Sequence, residues 1–392
     1  MGRATTTTAL VAAVLVGAGA AAVLNRWAPA PSADVGRGTE EAFAAGLHRR
    51  ELPPRQAPIR WTTNRATFSF ENLSPGPGEL EVALAGHRGP VIVACDGVVL
   101  GILPSEATAG RFPLAATGRR SRTVHLEVPV FTAGDGRSLG ARLQRVSLAP
   151  GSHGAPGFRL LALFAVPALV AAAAGRRAGL VPGQAFAFAG VMTAIQAAML
   201  WPSGLFRSPY GTRLPVLIVM GLFGATAFAW RMERRHSGAG RWALVAMTAA
   251  WLVHGVLATS PAMVVSDAVF HANTLARVAG GDLFPTSVTQ HSPPFRFPYG
   301  VSFYVVLAPF LRAGIDGVAL VRAGAAIAGV LASAAFFLTL VRLYGAPVAG
   351  LSIVLLQALP TTFDVAYSYG NLSNGFGQSL TVGFFALSLI HI

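Results

Sequence analysis

The stretch RLLALFAVPALVAAAAGRR, residues 159–177, decides the class of this protein. An apolar run of this length can cross roughly 30 Å of hydrocarbon, and it ends at two adjacent arginines. Similar runs recur through the second half of a chain that is 53% hydrophobic, with a mean hydropathy of +0.55. We therefore predict a polytopic membrane protein and exclude a water-soluble enzyme. The predicted spans lie near 159–175, 179–201, 213–231, 242–259, 299–312, 318–340, 346–362 and 375–392.

The N-terminal segment contains a further apolar run, ALVAAVLVGAGAAAVL, at residues 9–24. It is long enough for a signal anchor, although its Ala-rich end also resembles a signal-peptidase site. We favour the uncleaved anchor, with Arg3 in the cytoplasm and the residues that follow residue 24 exported.

Residues 25–157 have a different character, because Pro, Gly and charged residues return and apolar residues alternate with polar ones. This period of two predicts strands with one buried face, and Asp96-Gly97 between two apolar runs predicts a type I′ hairpin turn. The region is therefore predicted to be a β-sandwich, with Cys95, the single cysteine, buried in a strand. The alternating positions are Leu80, Val82 and Leu84 in one strand, and Val124, Leu126, Val128 and Val130 in another.

Arginines set the predicted orientation. All 30 basic residues are Arg, and under the positive-inside rule Arg176-Arg177 and the cluster at 231–241 mark cytoplasmic loops. Residues 260–298 then lie outside, on the side of the β-sandwich. Beyond residue 312 the rule gives conflicting answers, which leaves open that one helix is short or does not cross.

Acidic residues are rare after residue 157. Of the five that are present, Glu233 and Asp316 fall in loops with an ordinary solvated explanation, and Asp364 has no predicted place. Asp267 and Asp282 fall on the outer side. We predict a helix from Asp267 to Gly280-Gly281, with Ser266 as its cap; a capping role would explain Asp267 without chemistry. The spacing also makes Asp267 and His271 neighbours on one face, where they can share a metal or act as an acid–base pair.

A second polar segment, FDVAYSYGNLSNGFGQSL at 363–380, interrupts apolar sequence with Asp364, Asn371, Asn374 and Gln378. Polar side chains at membrane depth usually face protein or a water-filled cavity. The segment is therefore either part of a functional site or a polar connecting loop.

The outer segment as a whole resembles the first external loop of GT-C glycosyltransferases. The resemblance lies in the order of its parts: a transmembrane span, an acidic residue soon after it, a short helix and Gly-Gly. These are followed by the segment that returns to the membrane, HSPPFRFPYGVSFYVVLAPFL at 291–311. It implies transfer of sugar from a polyprenyl-linked donor to an extracytoplasmic glycan or protein acceptor, with membrane lipid around the helices. The β region likewise resembles jelly-roll-like modules attached to such proteins. The sequence has no motif for nucleotide binding, zinc proteolysis or serine hydrolysis.

The resemblance also implies roles for particular residues. Asp267 matches the loop-one acid, a base or metal-positioning carboxylate; His271 matches a histidine of some relatives, and Asp282 would serve as the second acid. Positive charge for the donor phosphate would come from Arg277, Arg296 or a divalent cation, Mg²⁺ or Mn²⁺, with Asp267 as the metal ligand. Two asparagines of the second polar segment stand where the family has another acid, and we expect them to bind donor or substrate: Asn371 and Asn374.

Taken together, the sequence predicts a mainly α-helical polytopic membrane protein of the bacterial inner membrane with an inserted extracytoplasmic β-sandwich. The alternative is a non-catalytic envelope protein whose sandwich binds glycans; nucleic acid is not an expected partner. The last six residues, LSLIHI, back-translate to a sequence resembling a sequencing adapter, so we expect the natural reading frame to diverge there. The predicted parts are the anchor (1–24), the sandwich (25–157), accessory spans (158–241), the start of a GT-C-like module (242–386) and the adapter-derived end (387–392).

Overall fold

The structure of the protein is a computed structural model. It describes residues 2–48, 51, 58–134, 136–151, 154–261, 268–283, 286–288, 296–298, 300–359 and 372–391. The chain divides into two compact units, one formed by Met1–Ala173 and Pro182–Val219 and the other by Ala174–Val181 and Met220–Ile392.

The first unit combines long helices with a β domain. Its elements in chain order are α1 (Gly2–Trp27), β1 (Ser32–Asp34), α2 (Glu40–Phe43), β2 (Ala44–Leu47), β3 (Arg60–Phe70), β4 (Gly78–Gly86), β5 (Val91–Cys95), β6 (Val98–Leu103), β7 (Ala109–Leu114), β8 (Arg122–Glu127), β9 (Phe131–Thr132), β10 (Ser138–Leu139), β11 (Arg142–Pro150), α3 (Phe158–Arg177), α4 (Pro182–Leu200) and α5 (Pro209–Arg235). The helices α3 and α5 each continue into the second unit.

The β domain is built on one nine-stranded antiparallel sheet in the order β6-β5-β8-β3-β11-β4-β7, with β1 and β2 pairing at β11 and β3. The sheet is nearly closed, because Gly101 of β6 faces the ring of Phe112 on β7, where a side chain would collide with the ring. The prediction of a β domain is confirmed, and the strands assigned to a β-sandwich form one nearly closed antiparallel sheet.

The predicted alternation fills the interior of this sheet. Leu80, Val82 and Leu84 are fully buried, and β11 pairs with their strand through most of its length. The hairpin turn is also confirmed, since Asp96 and Gly97 both have positive φ, 52° and 85°. The alternation fails at Val130, which is exposed because β8 ends at Glu127.

Polar contacts around Glu71 and Arg207 join the β domain to α1, to α3 and to the segment between α4 and α5; we call these contacts the junction. Glu71 N–H donates to the carbonyl of Arg207 at 2.7 Å, and its carboxylate pairs with Arg159 of α3 at 2.9 Å. The guanidinium of Arg207 is fully buried and donates to the carbonyl of Asn25 at 3.1 Å. Burial lowers the pKa of Arg207 to about 10, so it stays protonated at pH 7, and its charge sits favourably at the C-terminal end of α1.

The second unit is helical. It comprises α6 (Gly240–Trp251), a π-turn (Leu252–Val256), a 3₁₀ turn (Leu257–Thr259), α7 (Ala268–Ala279), the short hairpin β12 (Thr286–Val288) and β13 (Arg296–Pro298), α8 (Ser302–Arg312), α9 (Gly317–Tyr344), α10 (Ala346–Ala358) and α11 (Leu372–His391). Two acids hold turns here. Glu233 accepts from Gly238 N–H and Gly240 N–H before α6, and Asp316 caps α9 through Ala319 N–H at 2.8 Å.

Five helices in the described part of the chain are long and apolar enough to cross a membrane: α1 (from Thr5), α3, α4, α5 and α9. This supports the predicted membrane class at the level of length and composition. The predicted span at 299–312 is wrong in length, because α8 has 11 residues and rises only about 16 Å. Arg312 at its end donates from Nε to the carbonyl of Ala279, 3.1 Å away, and so caps the C-terminal end of α7.

Candidate functional site

The short helix α7 lies against its neighbours through one amphipathic face. Its exposed side carries Val269, Phe270, Asn273, Ala276 and Arg277, so the polar residues of this side are joined by two apolar ones in the first turn. The buried face packs against α8 and α9 in one cluster that also includes Phe303, Tyr304 and Val321. The buried residues of α7 are Ala268, His271, Thr274, Leu275 and Val278.

His271 is the polar centre of this buried face. Its Nδ1 lies 2.7 Å from the hydroxyl of Tyr304 on α8, and both side chains are almost completely buried. The two rings are stacked at 6.1 Å, and Phe270 meets the imidazole edge-on at 5.3 Å. These contacts fix the plane of the imidazole, which is what a histidine needs in order to orient a carboxylate or move a proton.

The C-terminal end of α7 confirms the predicted Gly-Gly stop. Gly281 has φ 104°, Gly281 N–H donates to the carbonyl of Val278, and Asp282 N–H donates to that of Arg277, which is the Schellman pattern. The carboxylate of Asp282 then accepts from Arg277 Nε at 3.0 Å. Arg277 and Asp282 are thus each other's partners, about 9 Å along the helix axis from His271.

The remaining predicted residues fall on parts that are described incompletely or not at all. Asp267 and Asn371 lie outside the described residues. Arg296 lies in β13 and Asn374 in α11. In the described part of the chain, no three His, Cys, Asp or Glu side chains are grouped to hold a metal, so the divalent cation with Asp267 as ligand stays a prediction.

The fold brings the two polar segments of the sequence together at their described edges. Ala268, which follows Asp267 in the chain, and Leu372, which follows Asn371, are members of the same buried cluster. Phe376 of α11 also contacts Phe303 of α8, with ring centroids 5.1 Å apart. Residues far apart in sequence therefore meet around α7.

A second polar group in this unit was missed by the sequence reasoning. Gln357 Nε2 of α10 donates to Ser333 Oγ of α9 at 3.0 Å, and Ser333 Oγ donates to the carbonyl of Gly329 at 2.9 Å. His254, on the π-turn, packs against Gly329, where a Cβ would lie 2.6 Å from the imidazole Nδ1. The sequence clue to this group was His254, an ionisable residue inside the predicted span at 242–259, because such residues in apolar helices often mark function. The π-turn around it, which only the structure shows, is a second feature often found at functional sites.

Comparison with known proteins adds no family: no family model, curated protein or solved structure matches this chain.

Proposed function

We propose that this chain has the function of a GT-C-like membrane glycosyltransferase, which transfers sugar from a polyprenyl-linked donor to an extracytoplasmic glycan or protein acceptor. The observation that carries the proposal is the setting of α7. A short amphipathic helix, placed directly after an acid and holding an oriented histidine, is packed where two polar segments of the sequence converge.

In this proposal the acceptor hydroxyl loses its proton to Asp267 as its oxygen bonds to the anomeric carbon of the sugar. The bond from that carbon to the polyprenyl phosphate breaks, and the lipid phosphate leaves with the bonding electrons. In the same proposal His271, held by Tyr304, positions the carboxylate of Asp267, which precedes it by four residues in the chain. Where a divalent cation takes part, Asp267 is its expected ligand, and the cation would supply positive charge for the leaving phosphate.

The carboxylate of Asp282 partly neutralises the positive charge of Arg277 in their ion pair. A donor phosphate that binds Arg277 therefore competes with a carboxylate already in contact, which weakens this residue as a donor site. Arg296 and the asparagines of the second polar segment, Asn371 and Asn374, remain the other proposed donor contacts.

The membrane setting is part of the proposal. With α8 too short to cross, we infer that residues 268–316 stay on the outer side of the bacterial inner membrane and that α9 carries the chain to the cytoplasm. In this topology Arg342, at the end of α9, lies on the cytoplasmic side, as the positive-inside rule favours.

The decisive experiment compares two identical chemical changes in the full-length gene product. Asp267→Asn removes the proposed base and should lower transfer of lipid-linked sugar by at least a thousandfold. Asp316→Asn is the matched control, because asparagine caps a helix about as well as aspartate, and it should keep parental activity. Membrane insertion of both variants is checked by carbonate extraction. Parental transfer by the Asp267 variant would remove this residue from the mechanism.

A second candidate function, glycan binding without catalysis, is favoured by an aromatic cluster on the β domain. Trp61 is partly exposed and meets Phe131 edge-on at 5.7 Å, while the guanidinium of Arg88 lies 4.2 Å from the centre of the Phe131 ring. An aromatic and arginine surface of this kind suits a ligand with both apolar and hydroxylated faces.

This candidate is tested by binding of cell-envelope polysaccharide to the complete chain, with Trp61→Ala against Val130→Ala. Loss of binding in the first variant only, together with full-length protein inactive in sugar transfer, would favour the envelope-binding function. Equal binding by the two variants would exclude Trp61 from a glycan site.

A further inference from the structure

The hairpin of β5 and β6 exposes aliphatic side chains at its tip. Val98 and Val99, directly after the Asp96-Gly97 turn, are 65% and 62% exposed; we call these two residues the hairpin tip. Outward positions of an antiparallel sheet with one packed face are normally polar. Two adjacent exposed valines at a turn therefore need an explanation.

The hairpin tip lies at the end of the β domain that carries the junction. Asp96 N–H donates to the carbonyl of Thr123 at 2.8 Å, and Arg122 at the start of β8 is paired with Phe70 at the end of β3. The next residue, Glu71, makes the junction contacts with Arg159 of α3 and with the carbonyl of Arg207 before α5. Only two strand spacings, about 10 Å, thus separate the turn from the residues that fix the helix ends.

Exposed aromatic residues lie at the helix ends that face the junction. Trp27 is the last residue of α1 and Phe158 the first of α3, and both are largely exposed, while Trp201, directly after α4, is 41% exposed. Aromatic side chains are enriched where a helix passes from hydrocarbon into the headgroup layer. The helix ends at the junction therefore have the composition of a membrane interface.

The charge at this end of the β domain complements anionic lipid. Arg26, Arg119 and Arg120 are exposed there. The acids nearby are already paired, Glu71 with Arg159 and Asp96 with Arg122. An excess of arginine next to apolar side chains is the pattern that attracts a protein surface to anionic headgroups.

We propose that the hairpin tip inserts into the headgroup layer of the bilayer crossed by α1, α3, α4 and α5, so that the β domain rests on the lipid surface through Val98 and Val99. This inference depends on the membrane setting in the proposed function. The occupant is lipid: the tip stands at the level of the interfacial aromatics and is bordered by arginines, which favours an anionic bilayer over an uncharged protein groove.

The test places one fluorescent probe at each of three positions in the complete chain reconstituted in phosphatidylcholine–phosphatidylglycerol vesicles. The variants are Val99→Cys at the tip, Val130→Cys at the opposite end of the β domain, and Leu15→Cys in the middle of α1, where the side chains are 62%, 46% and 66% exposed. The parent chain, whose Cys95 is buried, gives the background. Quenching is measured with nitroxide-labelled lipid and with aqueous iodide.

We expect lipid nitroxide to quench the probes at 99 and 15 at least threefold more than the probe at 130. If the probe at 15 is quenched by lipid but the probe at 99 behaves like that at 130, the tip faces water and the inference is overturned. Protection at 99 from both quenchers would show that protein covers the tip, which also overturns it. If lipid quenches none of the probes, the membrane setting itself fails. Val98→Cys repeats the tip measurement should Val99→Cys not fold.

Discussion

The packing of α1 on α3 gives a sharp prediction, because two glycines of the same helix have opposite surroundings. A Cβ added at Gly17 would lie 2.6 Å from the carbonyl oxygen of Phe164 and 2.8 Å from the Cα of Ala165. A Cβ added at Gly19 would meet nothing within 4 Å. Small residues let membrane helices approach closely, so Gly17→Ala and Gly19→Ala form a matched pair.

The expected magnitude follows from these distances. An ordinary contact begins near 3.4 Å, so Gly17→Ala must push the two backbones apart by about 0.8 Å, and overpacking of this kind costs about 1 to 3 kcal/mol. Gly19→Ala meets no obstacle and gains up to about 1 kcal/mol of helix propensity. Gly17→Ala gains the same helix propensity, so that gain cancels in the comparison. The free energies of unfolding of the two variants should therefore differ by the overpacking cost of about 1 to 3 kcal/mol.

The assay is reversible unfolding of the purified chain in mixed micelles, followed by circular dichroism, with intact mass recorded for each sample. Equal stability of the two variants, with residues 1–24 still present, would refute the packing of α1 on α3. Equal stability with those residues absent would instead show that the segment is a cleaved signal peptide and not the anchor that we favour.

Two further predictions concern the buried groups. Burial, followed by the nearby charge of Asp96, raises the pKa of Cys95 to about 11. Between about pH 9 and 11 the unfolded chain loses a thiol proton that the folded chain keeps. The free energy of unfolding should therefore fall as the pH rises through this window. Alkylation of Cys95 at pH 8 should accordingly be on the order of a hundredfold slower in the folded protein than in urea, and equal rates would contradict its burial. Tyr304→Phe removes the hydroxyl that meets His271 Nδ1 and should lower the free energy of unfolding by about 1 to 2 kcal/mol; an unchanged thermal midpoint would show that this contact does not stabilise α7.

Several elements could be predicted from local sequence because their physical cause is local. The buried faces of β4 and β8 follow from a period of two, the Asp96-Gly97 turn from the need for positive φ, and the end of α7 from Gly280-Gly281. Apolar length alone identified α1, α3, α4, α5 and α9 as able to cross a membrane. Asp267, the centre of the predicted site, stays a prediction.

Other features were decided by tertiary contacts that no local pattern encodes. The helix α8 is shorter than its apolar stretch, and Arg312 caps α7, a contact between residues 33 apart. The pairing of Asp282 with Arg277 places that acid beside a cation instead of beside His271. Tyr304 becomes the partner of His271 only because α7 lies across α8.

The sequence by itself determined the apolar helices, the β strands and the hairpin turn of this protein, since apolar length, strand period and turn chemistry act within a few residues of one another. The tertiary structure alone decided which polar side chains meet, because a hydrogen bond or an ion pair depends on the distance between elements that are remote in the chain. The convergence of Ala268 and Leu372 in one buried cluster is of this second kind.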